Sequence, residues 1–598
     1  MQNEARDFYK EKRTRLNKEI GKLTKIINYL YASRLITFLL FGTFLVLMLQ
    51  YPQKFLLISL ALVSIAAFLV AIKYDIKYRY RKKFTHYQRQ ICEEELEIMD
   101  YKYTGRPSGA EYLALNPHLS ADFDLFGKGS VFQFLNRCST KPGTDLFAKN
   151  LCQSELNTRI IKEKQESIKE LSGKIDFLHA YRTLGMFISE SGTEIKGLKM
   201  WLSQTEKNIG RLQFFSYVIP IINISWIGLT IAGFFPVSAL LFPVLLSYSI
   251  IFANQKRIGS AHDNLGKTTK TFEKYAGLIQ RIEEEDFQSA YLQNAQQRLM
   301  SNNKTASKSL RQLFKLLNKF DIRYNIIASF LLNTMLIFDV QVLLRLVKWK
   351  KSHKNKIDLW FTSLTETDSI TSFATFAFNY TNEFAWPEAI DGSFLVDARE
   401  AGHPLIHPDS RVDNDFHLEG RPAITIITGA NMAGKSTFLR TISVNLLLAM
   451  NGAPVCAREM KYTPCNIMSS IKIQDSLVEN ASYFYAELVR LREIIEQIQS
   501  QPKTLVVLDE ILRGTNTRDK QAGSLGFLEK LISLNAIVII ATHDLKIGEL
   551  ENTHPGKVKN QCFEVELNKD QLVFDYKLKD GISQKLNASF LMKKMGII

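Results

Sequence analysis

The residues between 424 and 437 have the types and the spacing that bind phosphate groups. An apolar run at 424–427 leads into the motif Gly429-x-x-x-x-Gly434-Lys435-Ser436, and a helical stretch follows. Glycines allow successive backbone N–H groups to point at anionic oxygens, and the N-terminus of the helix adds partial positive charge. In such a loop the lysine contacts the β- and γ-phosphates and the hydroxyl binds Mg²⁺. The predicted nucleotide-binding residues are Gly429, Ala430, Asn431, Met432, Ala433, Gly434, Lys435, Ser436 and Thr437.

Two further predicted strands end in residues that would complete a hydrolytic site. Residues 505–508 are apolar and lead into Asp509 and Glu510, and residues 536–541 lead into a Thr-His pair. Open parallel sheets bind ligands at the carboxyl ends of their strands. Asp509 is therefore predicted to hold Mg²⁺ through water, and Glu510 to orient and deprotonate the attacking water. This second motif argues against a chance glycine-rich turn and predicts a nucleotide hydrolase.

Three motifs together resemble the ATPase domain of the MutS family. They are TGANMAGKST at 428–437, LDEILRGTNTRD at 508–519 and ATHD at 541–544. The family strings usually have Pro at the position of Ala430 and Gly at that of Ala433. The resemblance implies an α/β P-loop NTPase domain with a parallel sheet of the ABC and MutS type. This domain would follow a mainly α-helical core and lever domain that carries transmembrane helices.

The resemblance also implies roles for residues of the hydrolytic site. ATP would be bound and hydrolysed with Mg²⁺, which Ser436 and Asp509 would hold. Lys435 and Glu510 would act in catalysis, and His543 would sense the γ-phosphate.

Other implied contacts concern the adenine and a second subunit. Residues 480–487, NASYFYAE, resemble the signature of the family that reaches the γ-phosphate of the neighbouring subunit. Ser482 would therefore act in trans, and Asn516 would lie in the loop at the dimer seam. Val412 and Asn414 fall where the family flanks the adenine. The resemblance thus implies a homodimer formed through the ATPase domains.

The composition restricts the class of protein further. A chain of 598 residues with 46% hydrophobic residues is expected to form several packed domains. The six cysteines lack CxxC or CxxH spacing, which argues against structural zinc and against a disulfide framework. The net charge is +16, and much of the excess lies in residues 1–34 and 73–83, which border long apolar runs. The charge therefore indicates membrane topology before it indicates DNA binding.

Residues 35–51 and 55–72 form two apolar runs of the length needed to cross a bilayer, about 17–25 residues. They lack the polar face of a soluble helix, and a Tyr-Pro-Gln-Lys turn joins them. The runs predict a transmembrane hairpin, with two buried helices of a soluble domain as the alternative. The basic flanks place both ends of the hairpin, and the ATPase domain, in the cytoplasm. The expected location is the inner or plasma membrane of a bacterium-like cell.

Two other apolar stretches bear on the number of spans. Residues 212–255 contain no charged residue and are divided at Gly-Phe-Phe-Pro, which predicts a second hairpin. A re-entrant or buried pair is the alternative there. Residues 326–346 are apolar but include Asn333, Asp339 and Arg345. Because intramembrane charges are costly, we favour a buried core helix over a fifth span. The sequence therefore predicts about four transmembrane helices.

The predicted organisation has three consecutive parts. Residues 1–103 would hold a basic helix and the first hairpin, and residues 104–355 a MutS-like core and lever domain with the second hairpin inserted. Residues 356–598 would form the ATPase domain. Family members that detect mismatches carry an N-terminal domain with a Phe-x-Glu wedge. The first hundred residues contain no such motif, which predicts that this recognition domain is missing.

The resulting functional hypothesis is a membrane-anchored ATPase of the MutS type. The resemblance implies binding of mismatched or branched double-stranded DNA in DNA repair. The alternative is an ATP-driven, membrane-tethered conformational switch that does not recognise mismatches or bind DNA. A transporter of the ABC type is disfavoured, because the Leu-Ser-Gly-Gly-Gln signature is absent from the sequence.

Overall fold

A computed structural model describes residues 4–52, 54–187, 194–204, 209–265, 269–301, 304–430, 432–472, 483–513, 515–568 and 571–583. The chain forms two compact units. One unit comprises Met1–Asn136, Phe147–Thr183 and Ser372–Ile598, and the other comprises Arg137–Leu146 and Leu184–Thr371. Each unit combines stretches that are distant in sequence. The division of the chain into three consecutive domains stays a prediction.

The chain up to residue 379 is mainly helical. In chain order its helices are α1 (Glu4–Gln50), α2 (Lys54–Met99), α3 (Pro117–Asp122), α4 (Val131–Leu135), α5 (Lys141–Cys152), α6 (Thr158–Gly173), α7 (Ile175–Gly185), α8 (Glu194–Ser203), α9 (Ile209–Ile231), α10 (Leu241–Ala253), α11 (Gln255–Leu265), α12 (Thr269–Glu284), α13 (Ala290–Leu299), α14 (Ala306–Phe320), α15 (Ile326–Leu336) and α16 (Phe338–Asn379). A short hairpin of β1 (Met300–Ser301) and β2 (Lys304–Thr305) precedes α14.

Helices α1 and α2 form a long antiparallel pair. They contain 47 and 46 residues, so each is about 70 Å long at about 1.5 Å per residue. Arg34 pairs with the buried Asp75 at 2.7 Å, and Arg81 pairs with Glu19 at 2.8 Å. These ion pairs fix the register of the two helices in the charged part of the hairpin, away from the connecting turn.

Beyond these ion pairs, the tips of α1 and α2 expose apolar side chains. Leu49 is 87% exposed and Phe55 is 86% exposed. By length and composition, α1, α2 and α9 are long and apolar enough to cross a membrane. Helices α15 and α16 meet the same criteria only as a pair, which is bent by 77°. The placement of any of these helices in a bilayer stays a prediction.

The second predicted hairpin is not formed by two full-length helices. Helix α9 has 23 residues, but the chain then turns at Gly233, where φ is 84°, and runs extended through Pro236. A 3₁₀ turn at Val237–Leu240 follows, and α10 has only 13 residues, about 20 Å. The turn and α10 together form the apolar helical stretch Val237–Ala253, which is shorter than the predicted second span of about twenty residues. Whether this stretch crosses a bilayer, about 30 Å thick in its hydrocarbon core, stays a prediction.

Buried polar groups join the apolar helices α9, α10 and α15. The amide nitrogen of Asn223 donates to Ser247 Oγ at 2.7 Å and to the carbonyl of Thr334 at 2.8 Å. Ser247 Oγ donates to the same carbonyl at 2.9 Å. Hydrogen bonds of this kind hold apolar helices together where apolar contact alone gives little specificity.

Residues 326–346 do not form the single buried helix that we favoured. Helix α15 ends before Ile337, whose φ of 42° is left-handed, and α16 begins at the next residue. Asn333 Oδ1 accepts from the backbone N–H of Asp339 at 3.0 Å, which satisfies a donor that the break would leave unpaired. Ile326 is 83% exposed and Ile327 is 75% exposed. Asn333 and Thr334 are buried in α15, and most of the residues from Ile337 onward are buried.

The C-terminal part contains two β-sheets. Its elements are β3 (Glu388–Ala389), β4 (Leu395–Ala401), β5 (Asn414–Glu419), β6 (Ala423–Gly429), α17 (Lys435–Met450), β7 (Glu459–Tyr462), β8 (Asn466–Ser470), α18 (Tyr483–Ser500), β9 (Thr504–Asp509), α19 (Thr517–Ser533), β10 (Ile537–Thr542), α20 (Leu550–Thr553), β11 (Val558–Asn568) and β12 (Gln571–Asp580). The larger sheet has the order β12-β11-β6-β10-β9-β8, and the smaller has the order β3-β7-β4-β5.

The larger sheet is parallel except for β12, which pairs antiparallel with β11. Every residue of β6, β9 and β10 is buried. Continuous apolar runs such as these are typical of parallel strands covered on both faces. The prediction of an α/β domain after a helical region is therefore confirmed.

A buried ion pair fixes the base of the α1–α2 hairpin. Glu95 is fully buried and accepts hydrogen bonds from the guanidinium of Arg182 and, at 2.7 Å, from the amide of Asn379. The hydroxyl of Tyr9 donates to Asn379 Oδ1 at 2.9 Å, and its ring stacks on that of His179. Burial lowers the pKa of His179 to about 3, so this imidazole is neutral. The network joins α1, α2, α7 and the end of α16.

Replacing Arg182 by Met is expected to lower the free energy of unfolding by about 3–5 kcal/mol, because it removes the cation beside the buried carboxylate of Glu95. Arg159→Met is the control, since Arg159 pairs with Glu163 at the surface, where such pairs contribute less than about 1 kcal/mol. Urea denaturation of the detergent-purified proteins measures both. Equal stability of the two variants would contradict the structural role of the pair.

Candidate nucleotide site

Three parallel strands bring the predicted site residues to one edge of the larger sheet. The register pairs Thr542 with Thr428, and Ala541 with Asp509. Strand β6 ends at Gly429, β9 at Asp509 and β10 at Thr542. The three carboxyl ends therefore lie side by side, where parallel sheets bind their ligands.

The loop after β6 needs glycine at both ends. Gly429 has φ 153°, and a Cβ there would lie 2.6 Å from the carbonyl oxygen of Phe563. Gly434 has φ 103°, and a Cβ there would lie 3.1 Å from the ring of Tyr576. Both positions therefore exclude larger residues, and the backbone turns tightly into α17.

Lys435 is the first residue of α17 and is 5% exposed. Its Nζ donates to the carbonyl oxygens of Gly429 at 2.7 Å and of Ala430 at 2.9 Å. Burial lowers the pKa of Lys435, and the nearby carboxylates of Glu510 and Asp509 act in the opposite direction. The backbone of the loop therefore surrounds the buried ammonium group of Lys435 at the N-terminus of α17.

Ser436 in α17 and Asp509 at the end of β9 are in contact. The hydroxyl of Ser436 donates to a carboxylate oxygen of Asp509, which is 6% exposed. Burial raises the pKa of Asp509, and the hydrogen bond from Ser436 lowers it. A hydroxyl and a carboxylate are oxygen ligands of the kind that Mg²⁺ prefers, so the pair fits this ion.

Glu510 follows β9 in a constrained backbone conformation with φ 48°. Its N–H donates to the carbonyl of Ala541 at 2.9 Å. Its two carboxylate oxygens lie 3.3 Å from Nδ1 of His543 and 3.5 Å from Nε of Arg513. Residues held in the left-handed region concentrate at functional sites. The structure thus places His543 beside Glu510 and adds Arg513, which the sequence analysis did not predict.

The loop that carries Arg513 is held by Glu487 of α18. Glu487 is 1% exposed, and its carboxylate accepts from the backbone N–H groups of Leu512 and, at 3.2 Å, of Arg513. Burial raises the pKa of Glu487, and the two backbone hydrogen bonds lower it. Arg513 also donates to the carbonyl of Asp509 at 3.3 Å. Glu487 therefore positions the segment that follows Glu510.

A pocket of about 630 Å³ opens beside the loop. Its lining includes the predicted residues Val412, Asn414, Ala430, Met432, Gly434, Lys435, Ser436, Thr437 and Glu510. The volume lies in the usual range for small-molecule sites, roughly 300–1,000 Å³. Residues that the sequence analysis missed also line it, among them His403, Arg411, Phe438, Arg513, Phe563 and Tyr576.

Asn414 lines the pocket and also ties β5 to β12. Its amide nitrogen donates to the carbonyl of Tyr576 at 3.0 Å, and its amide oxygen accepts from the N–H of Leu578 at 2.8 Å. Phe563 and Tyr576 come from β11 and β12, which are distant from the loop in sequence. Residues 576–583 also resemble the MutS family, and that likeness is a signal that could have identified Tyr576.

Five of the predicted site residues that the structure describes are absent from the lining of the pocket, namely Gly429, Ala433, Asp509, His543 and Asn516. Asn431 and Ser482 lie outside the described residues. Asn516 caps α19, where its side-chain oxygen accepts from the N–H of Asp519 at 2.9 Å. The roles of Ser482 and Asn516 at a subunit boundary stay predictions.

Comparison with known proteins points to one family for this part of the chain. Residues 425–593 match the family model described as MutS domain V. The DNA mismatch repair protein MutS of Thermotoga neapolitana is 32% identical over 186 residues, which are 31% of this chain and 23% of that protein. The protein of the same name from Ehrlichia ruminantium is 30% identical over 247 residues, 41% of this chain and 30% of that one. MutS protein homolog 4 of Mus musculus is 29% identical over 216 residues, 34% and 22% of the two chains.

The chain spans less than a third of the length of these relatives. The matched range begins in β6 and includes the loop after it, Asp509, Glu510 and His543. The matches therefore support a MutS-family relationship for the α/β region that carries the pocket.

Replacing Glu487 by Ala is expected to loosen the segment after Glu510, because two buried N–H groups lose their acceptor. Hydrogen–deuterium exchange at Leu512 and Arg513 should accelerate about 5- to 150-fold, since leaving a buried donor unpaired costs about 1–3 kcal/mol. Glu493→Ala on the same helix is the control, because the side chain of Glu493 is 45% exposed. Unchanged exchange in the Glu487 variant would show that the carboxylate does not hold this segment.

Proposed function

We propose that this protein is an ATPase of the MutS type, anchored in a membrane with its nucleotide site in the cytoplasm. The observation that carries the proposal is the meeting of Lys435, Ser436, Asp509 and Glu510 at one edge of a parallel sheet. These side chains supply a phosphate-binding cation, oxygen ligands for a metal and a carboxylate that can accept a proton. The match to MutS domain V supports the same activity.

The site residues divide the work of phosphoryl transfer. Lys435 would exchange the carbonyls of Gly429 and Ala430 for phosphate oxygens, and Ser436 and Asp509 would hold Mg²⁺. When bound, Mg²⁺ neutralises charge on the β- and γ-phosphates. Phosphoryl transfer depends mainly on such positioning and charge neutralisation.

Glu510 would orient water and take its proton. His543 and Arg513 lie against its two oxygens and keep the carboxylate turned towards the pocket. Ser482 of a second copy would complete the site in trans, which would make hydrolysis depend on a homodimer.

Membrane anchoring is proposed from the apolar hairpin of α1 and α2 and from the apolar helix α9. The exposed tips of α1 and α2 join a stem in which Arg34 pairs with the buried Asp75. Helix α9 supplies another apolar segment of full length. Basic residues flank these segments, which favours a cytoplasmic position for both ends.

DNA binding is a second candidate function. The chain has a net charge of +16, and two of its relatives are named DNA mismatch repair proteins. We propose binding of mismatched or branched double-stranded DNA in repair as the use of the ATPase, with a DNA-independent, membrane-tethered switch as the alternative. When phosphate contacts drive binding, the logarithm of the binding constant falls linearly with the logarithm of the salt concentration. Absence of duplex binding at low salt would contradict DNA binding and favour the DNA-independent, membrane-tethered switch.

Replacing Glu510 by Gln is expected to leave ATP binding near the wild-type level and to lower steady-state hydrolysis about 10²- to 10⁴-fold, the usual contribution of a general base. Glu496→Gln is the control, because that side chain is 67% exposed on α18. Phosphate release and filter binding of labelled ATP measure the two quantities. Near-wild-type turnover of the Glu510 variant would refute the assignment.

Anchoring predicts that the protein stays in the membrane pellet after alkaline carbonate washing and is released only by detergent. The apolar tips of α1 and α2 would otherwise be exposed to water. Immunoblotting of the washed pellet and supernatant provides the measurement. Recovery of the chain in the carbonate supernatant would contradict anchoring and leave the ATPase proposal standing.

A further inference from the structure

The unit formed by Arg137–Leu146 and Leu184–Thr371 contains a cleft of about 500 Å³ between α14 and α16. Its floor is aromatic, since Trp349 and Trp360 are 3% and 2% exposed. Three cations, Arg345, Lys348 and Lys356, lie exposed on its rim. The cleft thus combines a buried aromatic floor with a positively charged rim on α16.

The floor of the cleft is held in place by its own hydrogen bonds. The indole nitrogen of Trp349 donates to the carbonyl of Ser309 at 2.9 Å. The ring of His353 stacks on Trp349 with centroids 4.7 Å apart and lies 5.6 Å from the ring of Trp360. Nδ1 of His353 is 2.8 Å from the carbonyl of Trp349. The aromatic groups are therefore fixed before any ligand arrives.

The sequence around Arg345 and Lys348 lacks acidic residues. The sequence has no acidic residue between Asp339 and Asp358, and none within α14. No acid lines the cleft. Within the parts of the chain that the structure describes, Arg345 and Lys348 form no ion pair. A cleft of this kind attracts an anion, and its serine and glutamine side chains suit a ligand that carries phosphate and hydroxyl groups.

The size and the surroundings of the cleft favour a lipid headgroup over nucleic acid. Specific protein–DNA interfaces bury about 1,000–2,500 Å² of protein surface, whereas this cleft holds one small polar group. Helix α15 connects α14 to α16 and exposes Ile326 and Ile327. Arg345 lies about 10 Å along α16 from its first residue, Phe338, at about 1.5 Å per residue. The basic rim therefore lies on the helix that directly follows the exposed apolar helix α15.

We propose that this cleft binds the phosphate-bearing headgroup of an anionic phospholipid, whose acyl chains would lie against α15. The inference rests on the proposed membrane location of the chain. The headgroup phosphate contacts Arg345 and Lys348, and the rest of the headgroup packs on Trp349. Because the phosphate group defines the ligand class, free inorganic phosphate is the competing ligand for the same two cations.

The test uses the full-length detergent-purified protein and short-chain phosphatidylglycerol, with short-chain phosphatidylcholine, inorganic phosphate and duplex DNA as the other arms. Binding is measured by microscale thermophoresis. The R345Q/K348Q variant is expected to lose phosphatidylglycerol affinity roughly thirty-fold, from the usual effect of two cations near an anionic surface. The K351Q/K354Q variant is the matched control, because both lysines are exposed on the same helix and outside the cleft.

Tighter binding of phosphatidylglycerol than of phosphatidylcholine or phosphate, lost in R345Q/K348Q and kept in K351Q/K354Q, supports the site. Equal binding of the two lipids, equal binding of inorganic phosphate, or retained affinity in R345Q/K348Q overturns it. Loss of duplex binding alone in that variant also overturns it and assigns the cleft to nucleic acid. ATP hydrolysis and carbonate extraction are measured on the same preparations, so failure of the cleft is distinguished from failure of the ATPase or of anchoring.

Discussion

The hydrogen bond from the hydroxyl of Ser436 to the carboxylate of Asp509 joins the two halves of the candidate nucleotide site. Ser436 belongs to the helix after β6, and Asp509 is the last residue of β9. The bond forms because the fully buried strands β6, β10 and β9 pair in parallel and end at one edge. The apolar packing of the sheet thus brings a buried cation, Lys435, to the same place as two carboxylates.

A second layer of contacts keeps the reactive carboxylate in place. Glu510 adopts a left-handed backbone conformation, and Arg513 and His543 lie against its two oxygens. The buried Glu487 of α18 holds the backbone from which Arg513 projects. The carboxylates of Glu487 and Glu510 would be costly to bury without these partners, so the contacts stabilise the arrangement. The pocket is built from groups that stabilise one another before a nucleotide binds.

Much of the α/β region could be predicted because its signals are local. The apolar runs that became β6, β9 and β10 and the glycine spacing at Gly429 and Gly434 are visible over a few residues. Tyr576 and Arg513 were missed, because sheet pairing and a buried carboxylate from another helix bring them to the site. The break at Ile337 was missed because it is accompanied by a hydrogen bond that Asn333 Oδ1 accepts from the N–H of Asp339, which no hydropathy pattern shows.

The central claim, that the loop after β6 holds a nucleoside triphosphate through Lys435, is tested most directly by equilibrium binding of labelled ATP with Mg²⁺ to the purified protein. Lys435→Met should weaken binding about 10- to 100-fold, the usual value of a hydrogen bond to a charged group. Lys503→Met, at an exposed position, should leave the affinity unchanged. Equal affinity of the Lys435 variant and the wild-type protein would contradict the account.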